Sequence, residues 1–241
     1  MIKVKSYVSV AILSLLIATP SFGRRMTNNV VFFIDYSRST RTVEGNNKKK
    51  INRLIKTKVR DFGRDDELRV YPIHSRATTS SSLLNLTGPN VKGDLRDRQV
   101  RKEWLEEELL PGIDEALEYH FSADLLGQTN IYPLMGKIIR MKKSGTRVEV
   151  YFLSDMVHDY KNTSLKKQLK DVQEESLIIE RAESMVSVLG LENSLEGVDI
   201  FILIPALPEG YADYEDVQAK VNMYWAHFFK KCGATIEIDI L

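Results

Sequence analysis

Cysteine is almost missing from this chain: Cys232 is the only one in 241 residues. A disulfide framework within the chain is therefore excluded, whatever the redox compartment. Charge of one sign is missing too. Lys and Arg number 34 against 33 Asp and Glu, a formal net charge of +1, which argues against generic binding to nucleic acid or to anionic membranes. No Gly-rich loop of the phosphate-cradling type occurs, no Ser sits in a nucleophile elbow, and there is neither an internal repeat nor a low-complexity tract. No segment has the roughly 20 apolar residues that span a bilayer comfortably.

The longest apolar run, 8–18, lies near the start. Lys3 and Lys5 precede it, no acidic residue occurs before Asp35, and Thr19-Pro20-Ser21-Phe22-Gly23 follows. A basic start, about a dozen apolar residues and small residues at a cleavage position describe a secretory signal peptide. Residues 1–23 are expected to be that signal and 24–241 one mature domain, exported to a periplasm or secreted; a retained signal anchor is the alternative. Without Lys3 and Lys5 the basic count falls to 32 against 33 acidic residues, a formal charge of −1. No Cys follows the signal to take a lipid.

Within 24–241 strand and helix signals alternate. Residues 29–34 (Asn-Val-Val-Phe-Phe-Ile) form a continuous apolar run, as a central strand buried on both faces does. Ile51, Leu54, Ile55, Val59 and Phe62 recur at helical spacing. Residues 68–73 read as a second strand. A Ser/Thr/Gly/Pro/Asn-rich loop with room for an edge hairpin covers 77–93. Val100, Trp104, Leu105 and Leu109 mark a helix that Pro111-Gly112 is expected to interrupt, with 113–119 resuming it. Ile131, Leu134, Met135, Ile138 and Ile139 predict a regular helix, 148–153 a strand, 165–188 a charged amphipathic helix and 198–204 another buried strand. The stripe Val217, Val221, Tyr224, Trp225, Phe228, Phe229 predicts a last helix stopped by Gly233, and 235–240 alternates as an edge strand does. Such an order implies an α/β, Rossmann-like fold: about six strands in a mostly parallel sheet with an antiparallel edge strand, and helices on both faces. Ligands of such sheets sit beyond the carboxyl ends of the strands.

Three segments fall there. Asp35-Tyr36-Ser37-Arg38-Ser39 follows the first strand, Ser154-Asp155 follows the strand at 148–153, and Gly127-Gln128-Thr129 precedes the helix of Ile131. Asp35, Ser37, Ser39, Thr129 and Asp155 offer oxygen donors only, which suits a hard cation such as Mg²⁺, Mn²⁺ or Ca²⁺ and not zinc. Were both carboxylates to bind through water, the cation would keep much of its charge, and an acidic group from another molecule could complete its shell. Taken singly the residues have plainer readings: turn formers, a strand-end Asp, and for Thr129 a helix cap. His74 and His158 read as exposed loop residues, Lys48-Lys49-Lys50 and Lys142-Lys143 as solvated faces, and Trp104, Trp225 and Cys232 as core.

In order, these segments resemble the von Willebrand factor type A family, whose metal-ion-dependent adhesion site has the pattern Asp-x-Ser-x-Ser, then Thr, then Asp. The resemblance covers 28–241 and includes Trp225, Phe229, Gly233 and Ala234, which look like the closing helix and strand of bacterial members. It implies that Ser37, Ser39 and Thr129 contact a Mg²⁺-type ion, that Asp35 and Asp155 act directly or through water, and that a protein partner supplies a carboxylate. Gln128 departs from the family, where a second Gly is common. The function so implied is an exported binding module and not an enzyme. Two alternatives stay open: a metal-dependent hydrolase or phosphoryl-transfer enzyme with Asp35 as nucleophile, which lacks a general base at motif-like spacing, and a structural subunit of an envelope or secretion assembly whose metal site is idle or degenerate.

Overall fold

The computed structural model describes residues 26–36, 42, 45–74, 76, 80–91, 96–119, 128–143, 145–161, 163–205 and 212–241. The signal segment, Ser37, Arg38 and Ser39 lie outside them.

Six strands assemble into one sheet. Its strands are β1 (Thr27–Asp35), β2 (Glu67–Ile73), β3 (Leu84–Thr87), β4 (Thr146–Leu153), β7 (Val198–Ile204) and β8 (Thr235–Ile240), in the order β3-β2-β1-β4-β7-β8. All neighbours are parallel except β2 and β3, which pair antiparallel from Glu67↔Thr87 to Val70↔Leu84. The antiparallel edge is therefore β3, inside the Ser/Thr-rich stretch, while the alternating β8 pairs parallel at the other edge.

A parallel sheet needs cover on both faces because its crossovers are helical, and β1 shows the consequence. Val31 and Phe33 enter one core, and Val30, Phe32 and Ile34 the other. The first core takes its cover from α4 (Leu134–Met141), α5 (Leu165–Lys170), α6 (Glu175–Leu189) and α7 (Ala212–Lys231). The second is closed by α1 (Gly45–Val59) and α3 (Leu110–Glu118). Trp225, Phe228 and Phe229 on α7 are fully buried, packed in tilted and edge-to-face contacts on one another and on Tyr132 and Phe152. Side chains of this size contribute about 1.5–3 kcal/mol each on burial.

Three expected boundaries move. Pro111 does not interrupt its helix. Helix α2 (Asp97–Glu103) runs through a π-helical stretch, Trp104–Leu109, directly into α3, with Pro111 in the first turn of α3. There the missing N–H costs nothing, and the wider π turn removes the clash with the preceding carbonyls. The charged helix at 165–188 is two helices, α5 and α6, separated at 171–174. The helix expected from Ile131 begins at Leu134, behind Pro133. Between β4 and α5 a two-residue hairpin forms from β5 (Asp159–Tyr160) and β6 (Thr163–Ser164).

Candidate metal centre

The strand order sets the position of the site. From β1 the chain moves outward through β2 and β3, then returns to the opposite side of β1 as β4. Helices on the two sides cover opposite faces, so β1 and β4 flank the switch point, the place at which sheets of this kind bind ligands beyond their carboxyl ends. Asp35 is the last residue of β1. In the β1–β4 register Ile34 faces Leu153, so Asp35 and Ser154 are the next pair along the two strand ends.

Asp35 and Ser154 are fully buried and Asp155 is 4% exposed. The Ser154 hydroxyl donates to Asp35 Oδ2 at 2.8 Å and accepts from the Met156 N–H at 2.9 Å. Asp155 Oδ1 accepts from the Val157 N–H at 3.0 Å. Met156 takes a left-handed backbone, φ 58°. This is a costly conformation for a side chain with a Cβ, and it persists where its surroundings over-determine it. Those surroundings are on α7: Trp225 Nε1 donates to the Met156 carbonyl at 2.8 Å, and Gln218 Nε2 to the Asp155 carbonyl at 2.9 Å. The turn that presents Asp155 is thus clamped from a helix more than 60 residues away in sequence.

Thr129 lies on the segment before α4, 6% exposed. It is not a helix cap: the N-cap of α4 is Pro133 and makes no side-chain cap bond. Instead Thr129 forms a β-bridge with Asp159, N–H to carbonyl at 2.9 Å in both directions. The backbone therefore ties Thr129 to the chain four residues beyond Asp155. Gln128, where the resembled family favours glycine, is adjacent to this bridge.

His158 and His74 correct the reading of exposed loop histidines, being 3% and 5% exposed. His158 Nδ1 accepts the Ile131 N–H at 3.2 Å, and the ring packs on Tyr132 with centroids 4.5 Å apart. Burial pushes its pKa down to about 4, against the opposing pull of the Asp159 carboxylate. It is a neutral wedge that fixes the 129–131 segment against the 155–159 turn. His74 follows β2, and its Nδ1 accepts the Arg76 N–H at 2.9 Å. Burial first, then Arg76 and Lys137, lower its pKa. It lines a cleft of about 390 Å³ with Pro72, Ser80, Leu83, Glu115 and Tyr119 on the β2 side of Asp35.

The described side chains expected at the site, Asp35, Thr129 and Asp155, offer oxygen donors only. Among the described residues no three His, Cys, Asp or Glu side chains gather as a group that could hold a metal ion. A cation here would rest on the two carboxylates together with hydroxyl, carbonyl or water oxygen, a set that fits Mg²⁺. Thr42 is 1% exposed and its hydroxyl has no hydrogen-bond partner among the described residues. Sequence reasoning reached Asp35, Asp155 and Thr129. It missed Gln218, whose role depends on a helix packing that no local pattern announces.

No protein-family model matches this chain, and no curated protein matches it. Its fold is Rossmann-like α/β, a six-stranded, mostly parallel sheet with one antiparallel pair.

Proposed function

We propose that this protein is an exported binding module that grips an acidic group of a protein partner through a Mg²⁺-type cation. Asp35 and Asp155 hold the ion with Ser37, Ser39 and Thr129, as the resemblance to von Willebrand factor type A domains implies. The observation that carries the proposal is the pair of buried carboxylates at adjacent strand ends, at the switch point, with the Asp155 turn clamped by Gln218 and Trp225. A buried carboxylate is costly to hold charged without a compensating positive charge, and a divalent cation would supply one. When bound, the ion supplies an electrophile for a carboxylate. The chain's own residues Gln218 and Trp225 hold the Asp155 turn in place.

Metal binding is the direct test. Mg²⁺ or Mn²⁺, titrated by calorimetry with and without acetate, should bind wild type and not Asp35→Ala. Ligation to the native state alone raises stability by about 2.7 kcal/mol at a hundredfold excess over Kd. The melting temperature of wild type should rise with Mg²⁺, and that of Asp35→Ala should not. Thr129→Ala should melt within a few degrees of wild type without metal, since only backbone atoms form its bridge, and should lose most of the Mg²⁺ response. A wild-type protein silent to both cations, acetate included, sinks the proposal.

A further inference from the structure

Helix α1 carries Lys48, Lys49, Lys50, Arg53, Lys56 and Lys58 and no acidic residue, in a chain whose overall charge is close to zero. Its buried stripe is Asn47, Ile51, Ile55 and Val59, so the cations occupy its outer faces. Three of them are used inside the molecule: Lys48 pairs with Glu118 at 2.8 Å, Lys58 with Glu149 at 3.5 Å, and Lys50 Nζ donates to the Leu241 carbonyl at 2.5 Å. Lys49, Arg53 and Lys56 are exposed and make no ion pair among the described residues. All three face one groove of about 940 Å³ between α1 and the α2–π–α3 helix, whose walls also carry Lys48, Arg60 and Lys102. Glu106 is the one acidic residue lining it, and Lys102 already lies 4.0 Å from it. Leu105 and Leu110, both half-buried, line the groove with the aliphatic stems of the lysines.

We infer that this groove is a second docking site, for an acidic amphipathic helix or strand of a protein partner. Its cationic walls would pair with the partner's carboxylates, and Leu105 and Leu110 would receive its apolar side chains. The shape and composition select this occupant. A single-stranded nucleic acid would want aromatic side chains to stack on, and no aromatic residue lines the groove. A lipid surface would want apolar groups that protrude, whereas the leucines here are recessed. The groove is built from helices on one face of the sheet and contains none of the proposed metal-binding residues, so its action is independent of the cation.

The experiment uses the purified mature chain and fluorescent 15-residue peptides read by anisotropy at low and at physiological salt. One peptide carries Leu at i, i+3, i+4 and i+7 with Glu between. A second keeps every Glu and replaces Leu by Ser. A basic Leu/Lys peptide, a single-stranded oligonucleotide and vesicles with 30% anionic lipid complete the set. The Leu/Glu peptide should bind about tenfold more tightly than the Ser/Glu peptide, weaken as salt rises and be indifferent to EDTA. The triple variant Lys49→Glu, Arg53→Glu, Lys56→Glu changes only exposed side chains and should melt like wild type while losing the peptide at least tenfold. Leu105→Gln should remove the preference for Leu over Ser. Equal binding by the triple variant, absence of Leu/Glu binding, or tighter retention of the oligonucleotide or vesicles overturns the inference. Loss of peptide binding on EDTA treatment would overturn the independence from the metal site, whereas failure of the metal proposal leaves the expected EDTA-insensitive binding intact.

Discussion

Ser154 joins the two strand ends with one hydroxyl, accepting the Met156 N–H and donating to Asp35 Oδ2. It sets the carboxylate of Asp35 and the left-handed turn at Met156 in one hydrogen-bonded unit. His158 supports the same turn from the other side and gives a prediction in pH. Its unfolded imidazole takes a proton near 6.5, while the buried ring holds off until about 4. Between those values the unfolded state carries more protons. Stability is therefore full above 6.5 and falls as pH drops towards 4, by about 3 kcal/mol over the whole shift. Asn at this position still offers an acceptor to the Ile131 N–H but does not titrate. Urea unfolding at pH 7 and pH 4.5 should show wild type losing roughly 2 kcal/mol more than His158→Asn. An equal loss in both proteins would mean that the ring is not held neutral.

At the scale of elements, two glycines distinguish close approach from open space. At the edge of the sheet away from the site, Asp66 accepts the N–H groups of Asn28 and Gly63, each at 2.7 Å, and its carbonyl accepts the Gly88 N–H at 2.8 Å. This brings the end of β3 onto the 62–66 turn so closely that a Cβ on Gly88 would lie 2.2 Å from the Gly63 carbonyl oxygen. Backbone cannot yield as a side-chain tip can, so Gly88→Ala should cost about 3 kcal/mol, the upper part of the range for over-packing. Gly136 sits on the exposed side of α4, with nothing within 4 Å of an added Cβ. There Gly136→Ala should stabilise by up to about 1 kcal/mol through helix propensity. Denaturant midpoints with unchanged slopes would measure both, and the reading fails if the two substitutions shift the midpoint alike. Strand β1 was legible because its apolar run is unbroken, and β2, β4 and β7 because apolar residues dominate them with a single charge inside each run, Arg69, Glu149 and Asp199. The π-helical passage at Trp104–Leu109 was not legible, because proline's effect depends on whether the turn before it widens.

For the whole molecule, Cys232 reports on the integrity of the core. It is fully buried at the end of α7, and burial pushes its thiol up to about 12, with Glu192 adding to the shift. A thiol reacts as thiolate and only where reagent reaches it. Ellman's reagent at pH 8 should therefore label one thiol in guanidinium and none in the native protein over the lifetime of the fold. Rapid native labelling would show that α7, and with it the Gln218 and Trp225 clamps, opens on its own. The same burial keeps the single cysteine of one folded copy from pairing with that of another.

Periodicity and composition by themselves determined the α/β class, the central strand, the stripe of α7 and the position of Asp35 and Asp155 at strand ends, because each depends on a few neighbouring residues. Burial of the two histidines did not follow from sequence, since a histidine after a strand looks the same whether or not another segment folds over it. The status of Thr129 was equally ambiguous. A threonine before a helical run is a cap if the helix starts there and a bridge partner if it starts five residues later, and Pro133 together with the pairing to Asp159 decided for the bridge. The strand order, which makes β1 and β4 neighbours and puts Asp35 beside Ser154 and Asp155, was likewise decided only by the tertiary structure. The physical reason is that such contacts join residues up to 119 positions apart. Their closeness depends on how two cores pack against one sheet, which no local stretch of sequence records.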